Sequence, residues 1–231
     1  MTDTNSFGAR RKAAPCGAAL GCGAVLALAL SACAPKAATL AAAEPTERDV
    51  FWAALQSHCG KAYAGGLVSE DARDADMRGA AMVMHVRDCS ATRVAIPFQI
   101  ADAEAPEGWN RSRTWVLTRG TDGAITLKHE HRHEDGSLDA VTNYGGTTAE
   151  AGAATVQQFP VDAESIATFT REGLDASLTN VWQVEVTDAA AEDPYFAYQL
   201  TRENDETRLF RVRFDADQAV EVPGAAWGSE Q

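Results

Sequence analysis

Residues 113–136 read RTWVLTRGTDGAITLKHEHRHEDG, and their pattern gives the clearest indication of the architecture. Apolar and polar side chains alternate on both sides of Thr121-Asp122-Gly123, which fits a three-residue hairpin loop with glycine in the left-handed position. Alternation with a period of two is typical of a β-strand that buries one face. The stretch therefore predicts two antiparallel strands, at residues 113–119 and 124–133.

The register of this hairpin determines which side chains share its inner face. It places Trp115 opposite His129 and Arg113 opposite His131. Because side chains alternate along a strand, His133 is expected to follow on the same face. The hairpin thus predicts an interior face on which aromatic groups, imidazoles and a guanidinium lie together.

A second turn lies downstream at Asp135-Gly136, a strong signal for a two-residue hairpin turn. It predicts a returning strand over residues 138–145, with Leu127 opposite Tyr144. Tyr144 is then also expected on the inner face. The two turns are independent of each other, and both assign the same face to the interior.

The remainder of the chain mostly continues the period of two. Further strands are predicted at about residues 80–88, 92–100, 153–159, 181–187, 195–202 and 207–214. Short strands separated by Gly, Asn and Asp favour an antiparallel barrel or sandwich. We expect an all-β antiparallel barrel of about eight to ten strands.

Thr46 or Asp49 can cap one short N-terminal helix that ends near Cys59-Gly60. Residues 162–172 fit either a helix or a strand.

The N-terminus has the layout of an export signal. Residues 10–12 are basic, and residues 24–30 form an apolar stretch that is too short to span a bilayer of about 30 Å as a helix. The apolar stretch closes on Leu30-Ser31-Ala32-Cys33. Ordinary cleavage at a later small-residue site, around Ala41-Ala42-Ala43, is the alternative.

This closing motif resembles the lipobox of bacterial lipoproteins, in which the cysteine is acylated and becomes the new N-terminus. The resemblance implies a signal peptide over residues 1–32 and a lipid anchor on Cys33 that holds the protein at the periplasmic side of the cell envelope. Ala34 follows, rather than aspartate, which by the same resemblance implies the outer membrane. Residues 33–46, rich in Ala and Pro, are predicted to be a flexible tether. A single β-barrel domain is expected over residues 47–231.

The five cysteines divide according to this layout. Cys16 and Cys22 fall in the predicted signal peptide, and Cys33 is the predicted lipidation site. Cys59 and Cys89 remain, an even pair that indicates a disulfide in an oxidising compartment. Two buried free thiols are the alternative interpretation.

The charge of the chain bears on its partners. The formal net charge is −13, with 33 acidic residues against 20 Lys and Arg. Such an excess of negative charge argues against binding to nucleic acid and against a basic patch that binds anionic lipids. The membrane partner is therefore expected through the lipid anchor, and no protein partner can be named from the sequence.

The histidine pattern leaves three interpretations open. Imidazoles in an apolar interior are unfavourable unless they are hydrogen-bonded or bound to metal. The cluster can be hydrogen-bonded or half-solvated, it can bind a metal such as Zn²⁺ through His129, His131 and His133, or it can line a pocket for an organic or anionic ligand. The candidate ligand-binding residues are Arg113, Trp115, His129, His131, His133 and Tyr144.

Two resemblances bear on the fold. The run from Trp52 to Gly65, a helix followed by a Gly-rich first strand, loosely resembles the opening of lipocalin-type barrels, with the usual order of Gly and Trp reversed. The resemblance implies a lipocalin-like barrel. The chain from Phe51 to Gly228 also resembles uncharacterised secreted lipoproteins of proteobacteria, in stretches such as residues 109–115. That family implies no activity for any residue.

Together these features favour a non-enzymatic cell-envelope lipoprotein that binds a small or apolar ligand, or an envelope partner, in the barrel. The alternative is a metal-binding protein or a metal-dependent hydrolase that uses the His129-x-His131-x-His133 strand. The sequence contains no Gly-x-Ser-x-Gly elbow, phosphate loop or dinucleotide motif. No catalytic residue is predicted.

Overall fold

The computed structural model describes residues 43–229, so the predicted signal peptide, Cys33 and most of the predicted tether lie outside the described residues. The strands are β1 (Ala62–Leu67), β2 (Met82–His85), β3 (Asp88–Cys89), β4 (Arg93–Ala101), β5 (Trp109–Arg119), β6 (Ile125–His131), β7 (Tyr144–Thr147), β8 (Val156–Pro160), β9 (Asn180–Val186), β10 (Tyr195–Arg202) and β11 (Asp205–Asp215). The helices are α1 (Glu47–Ser57) and α2 (Ala163–Arg171), with short 3-10 helices at Ala72–Met77, Pro106–Gly108 and Asp175–Ser177.

Ten of these strands form a nearly closed antiparallel barrel. Each pairs with the next along the chain, in the order β1, β2, β4 and on to β11, and β11 pairs back with β1. The short β3 pairs with β4 beside this path. The prediction of an all-β antiparallel barrel of about eight to ten strands, with one short N-terminal helix, is confirmed.

The pairing of β7 with β8 is the shortest in the barrel. It consists of a bridge between Gly146 and Val161 and a hydrogen bond from the Asp162 amide to the Gly145 carbonyl. Both glycines are required by close approach, because a Cβ at Gly145 would lie 1.8 Å from the Leu127 carbonyl oxygen. A Cβ at Gly146 would meet a backbone carbonyl on β8 equally closely. The absence of a side chain therefore lets β7 approach β6 at Gly145 and β8 at Gly146.

Helix α1 covers one end of the barrel. Its N-cap Thr46 accepts a hydrogen bond from the Asp49 amide while the Asp49 carboxylate accepts one from the Thr46 amide, which confirms a capped start. Phe51 and Leu55 are fully buried. No helix among residues 43–229 is long and apolar enough to cross a membrane.

The Cys59–Cys89 disulfide, predicted from the cysteine count, is present. It joins the chain just beyond α1 to β3. Cross-linking residues 30 positions apart stabilises a fold by roughly 3–4 kcal/mol in the chain-entropy estimate. The disulfide therefore helps to attach the helix to the barrel. Burial of the apolar face of the helix provides the remaining stabilisation of this attachment.

The predicted hairpin between β5 and β6 is confirmed in its register. Trp115 pairs with His129, Arg113 pairs with His131, and Gly123 has a φ of +80° in the connecting loop. The inner face of this hairpin is therefore the one that the sequence predicts.

The predicted strand over residues 138–145 is mostly wrong. His129, rather than Leu127, pairs with Tyr144, and the chain between β6 and β7 forms an irregular loop. Polar side chains compete with the strand ladder here: Asp139 accepts a hydrogen bond from the Val141 amide, and Thr142 from the His131 amide. The register shift is an even number of residues, so Tyr144 still faces inward.

The ambiguous segment over residues 162–172 is helical. Asp162 caps α2 by accepting a hydrogen bond from the Ser165 amide, and Phe169 is buried against the barrel. Ser165 exchanges hydrogen bonds with the backbone of Gly145. Helix α2 thus supports the short pairing of β7 with β8 from outside the ladder.

Candidate functional site

A cavity of about 270 Å³ lies inside the barrel at the end opposite α1. Its walls come from the ends of β4, β6 and β10 and from the beginnings of β5, β7, β9 and β11, as the up-and-down order of the strands requires. Aromatic side chains form much of the lining, namely Phe98, Trp115, Tyr144, Phe169, Trp182, Tyr198 and Phe210. Trp115 stacks between neighbours, with its ring centroid 4.6 Å from that of Phe98 and 4.5 Å from that of Tyr198. The aromatic part of the lining is therefore preformed and apolar.

Five of the six predicted ligand-binding residues line this cavity: Arg113, Trp115, His129, His131 and Tyr144. The alternating pattern of β5 and β6 brings the first four together, and the inward position of Tyr144 on β7 adds the fifth. The strand pattern and the first turn predict the first four of these positions, while Tyr144 faces inward in a register different from the predicted one.

His129 lies at the floor of the cavity and is only 3% exposed. Its Nδ1–H donates to the Tyr144 carbonyl at 3.0 Å, which leaves Nε2 to accept a hydrogen bond from the Tyr198 hydroxyl at 2.7 Å. Burial lowers the pKa of His129 to about 3. The imidazole is therefore neutral, is held in one tautomer and has no free lone pair.

His131 lies nearer the cavity mouth and is partly buried. Its Nε2 lies 3.2 Å from the Tyr144 hydroxyl, which can donate to it. Burial, with the positive charge of Arg113 nearby, lowers the pKa of His131 to about 4. Burial raises the pKa of Tyr144 to about 12. Both partners are therefore uncharged at neutral pH.

The prediction that His133 shares the inner face is wrong. Strand β6 ends at His131, and a bridge between Arg132 and Leu138 begins the turn before the alternation can continue. The His133 side chain is 58% exposed and lies 3.9 Å from the Asp139 carboxylate. It is not part of the cavity lining.

The residues do not fit the zinc site considered for His129, His131 and His133. Both ring nitrogens of His129 already have hydrogen-bond partners, and His133 is at the surface. Within residues 43–229, no group of three His, Cys, Asp or Glu side chains is arranged to hold a metal ion. His58 is also engaged at both nitrogens, with the Tyr63 hydroxyl and the Thr187 carbonyl at the α1 end of the barrel.

The other half of the site comes from strands late in the chain. Trp182 lies on β9, Tyr198 and Arg202 on β10, and Arg208 and Phe210 on β11. These residues repeat with the spacing of two or four that a shared strand face requires. That signal was present in the sequence, but it does not indicate which strands meet at the same end of a barrel.

An ion pair fixes one rim of the cavity. Arg208 Nη1 lies 2.6 Å from Asp74 Oδ2, and Nη2 lies 3.0 Å from Oδ1. Asp74 belongs to the 3-10 helix Ala72–Met77 and is 5% exposed, while Arg208 is 8% exposed. The two-point contact therefore attaches the 3-10 helix to β11, so that Met77 contributes to the lining.

Replacing His131 by alanine is expected to lower the free energy of unfolding by more than about 1 kcal/mol, because the buried Tyr144 hydroxyl loses its partner. His133→Ala, two residues away and exposed, is the matched control and should stay within about 0.5 kcal/mol of the wild type. Urea denaturation of both variants measures the difference. Equal effects of the two substitutions would contradict the assignment of His131 to a buried polar pair.

Comparisons with protein-family models, with curated proteins and with solved structures found no match to this chain. The site is therefore interpreted from its own geometry. That geometry offers an apolar surface with a few polar groups at defined positions, which is the usual composition of a small-molecule binding site.

Proposed function

We propose that this protein binds a small, largely apolar molecule in the barrel cavity, without catalysing a reaction on it. The observation that carries the proposal is the lining of the cavity by aromatic rings around a volume of about 270 Å³. Cavities for drug-sized ligands usually span about 300–1,000 Å³, so the ligand of this protein is small. Its apolar body packs against Trp115 and Trp182, and the neutral polar groups of His131 and Tyr144 orient it.

The stacked arrangement of the lining supports a role in binding. Trp115 contacts Phe98 and Tyr198 face to face, and His129 stacks on Tyr144 with a centroid distance of 4.6 Å. Rings held by their neighbours lose little conformational freedom when a ligand arrives, which favours affinity. The imidazole of His129 and the hydroxyls of Tyr144 and Tyr198 are paired within the protein, so an apolar ligand does not leave them unsatisfied.

Filling the cavity mouth is expected to weaken binding of a neutral probe, phenylbutanol, by at least about tenfold, since the probe and a new indole ring cannot occupy the same space. Val141→Trp places that ring in the lining, on the loop between β6 and β7. Leu138→Trp, on the same loop but 50% exposed, is the matched control. Isothermal titration calorimetry measures both. Equal affinities of the two variants would place the probe outside the cavity.

We also propose that the protein is anchored in the cell envelope through acylated Cys33, with its β domain on the periplasmic side of the outer membrane. The apolar stretch before Leu30-Ser31-Ala32-Cys33 supports export. The disulfide between Cys59 and Cys89 is consistent with an oxidising compartment. Two or more acyl chains on one cysteine anchor a protein stably in a membrane, whereas a single acyl chain binds only weakly and reversibly.

Cells grown with a radiolabelled fatty acid are expected to label the wild-type protein and to leave the Cys33→Ser variant unlabelled. The reason is that the thiol is the acceptor of the acyl-bearing group in a lipobox protein. Separation of inner and outer membranes then gives the location. A labelled Cys33→Ser protein, or an unlabelled wild type, would contradict the anchor independently of the cavity.

A further inference from the structure

The cavity lining is positively charged although the chain is acidic. Three arginines, Arg113, Arg202 and Arg208, line it together with a single carboxylate, that of Asp74. Asp74 is engaged by Arg208 through both carboxylate oxygens. Within residues 43–229, no carboxylate forms an ion pair with Arg113 or Arg202. A chain with a net charge of −13 therefore keeps two arginines that form no ion pair in its one aromatic cavity among the described residues.

Neutral groups hold both of these arginines in place. Arg113 Nη1 donates to Asn110 Oδ1 at 3.2 Å and lies 3.3 Å from Ser112 Oγ. Arg202 Nε donates to Asn180 Oδ1 at 3.1 Å. A guanidinium has five N–H donors, so these contacts orient each group and leave donors free for a further acceptor.

No other lining group supplies the missing negative charge. His129 and His131 are neutral because burial lowers the pKa of each. The hydroxyls of Tyr144 and Tyr198 stay protonated, since burial raises the pKa of both. Burial and the nearby charges of Arg208 and Arg73 lower the pKa of Arg202, although Asp205 and Asp71 act in the opposite direction. An anion bound there would offset the remaining repulsion.

We propose that the ligand is a small amphipathic carboxylate, whose carboxylate group binds Arg113 and Arg202 at the mouth and whose apolar body lies against the aromatic lining. This inference rests on the proposed binding function and specifies its ligand class. Charge-assisted hydrogen bonds between a guanidinium and a carboxylate are the strongest polar contacts that such a cavity can offer. The volume of about 270 Å³ favours an aromatic or short acyl acid over a long-chain lipid.

Calorimetry with phenylbutanoate and phenylbutanol tests the charge preference, because the two probes differ only at the head group. We expect the acid to bind at least about tenfold more tightly than the alcohol. Octanoate, tested beside them, distinguishes an acyl from an aromatic body. An alcohol that binds as tightly as the acid overturns the inference and leaves the proposed binding function intact. If neither probe binds, the binding function itself fails.

Substitution of the two arginines tests whether the preference for the acid over the alcohol arises at the cavity mouth. Arg113→Gln and Arg202→Gln are each expected to lower the acid's affinity about tenfold while the alcohol's affinity changes little. Arg171→Gln removes the same charge from an exposed position on α2 and is expected to change neither. A loss of acid binding in Arg171→Gln equal to that in Arg202→Gln would show a general effect of net charge and would overturn the assigned site.

Discussion

Replacing Arg208 by methionine is expected to lower the free energy of unfolding by about 3–5 kcal/mol, the usual effect of removing one partner of a buried ion pair. The loss is large because the Asp74 carboxylate, 5% exposed, would lose the guanidinium that binds both of its oxygens. Attachment of the 3-10 helix Ala72–Met77 to the rim would weaken at the same time. Urea denaturation at neutral pH measures the change.

A double variant provides the control. In Arg208→Met with Asp74→Leu, both of these charges are absent, and Asp71, which also contacts Arg208, keeps its ion pair with Arg73. Most of the lost stability should therefore return, because apolar replacements of a buried pair are often neutral or stabilising. Arg171→Met, at an exposed arginine, should change stability by no more than about 0.5 kcal/mol. A single Arg208→Met variant as stable as Arg171→Met would contradict the structural role of the ion pair.

Acidification from pH 6.5 towards 4 is expected to destabilise the wild-type protein by about 1.4 kcal/mol per pH unit for each histidine that stays neutral in the fold. In the unfolded chain a histidine takes up a proton near pH 6.5. In the folded protein the pKa of His129 is lowered to about 3 and that of His131 to about 4. The unfolded state therefore binds more protons in this window. The contribution of these histidines to stability is fully present above pH 6.5 and is lost as the pH falls.

The variant His129→Asn isolates the contribution of the buried imidazole. Asparagine can still donate to the Tyr144 carbonyl but does not titrate, so the variant should show a smaller dependence of stability on pH between 6.5 and 4. Asp49 and Asp205, whose pKa values are lowered to about 2 by hydrogen bonds, act mainly at lower pH. Equal slopes for the wild type and His129→Asn would contradict the neutral, buried state of His129.

The parts of the fold that were predictable from sequence are those determined locally. The register of β5 with β6 follows from one turn, because Gly123 can adopt the left-handed conformation that the loop requires. The return to β7 was mispredicted because the loop before Tyr144 contains polar side chains that bond to the nearby backbone, and Asn143 adopts a φ of +56°. A turn signal at Asp135-Gly136 does not reveal that the chain leaves the ladder just after Leu138 and rejoins it at Tyr144.

The candidate site also combines residues that are predictable from local sequence with residues that are not. Arg113, Trp115, His129 and His131 were predictable because a single hairpin brings them together. The contribution of Arg202 was not, since β10 reaches the other half of the site only through the β1–β11 pairing that joins the two ends of the domain. His133 was misplaced because the strand period was extended one step beyond the last residue of β6. Local periodicity therefore predicts which side chains share one face of a strand. The closure of the barrel determines which of these faces line the same cavity.

That closure also has a consequence for the order of folding. Most pairings in the barrel join strands that are neighbours along the chain, and such contacts form at a small loop-closure entropy. The pairing of β1 with β11, for example Gly65 with Phe214, joins the two ends of the domain. Contacts of such high sequence separation slow folding, so we expect the meander to assemble first and the β1–β11 pairing to be the rate-limiting step. Until it forms, both strands are open edges that can pair with another chain.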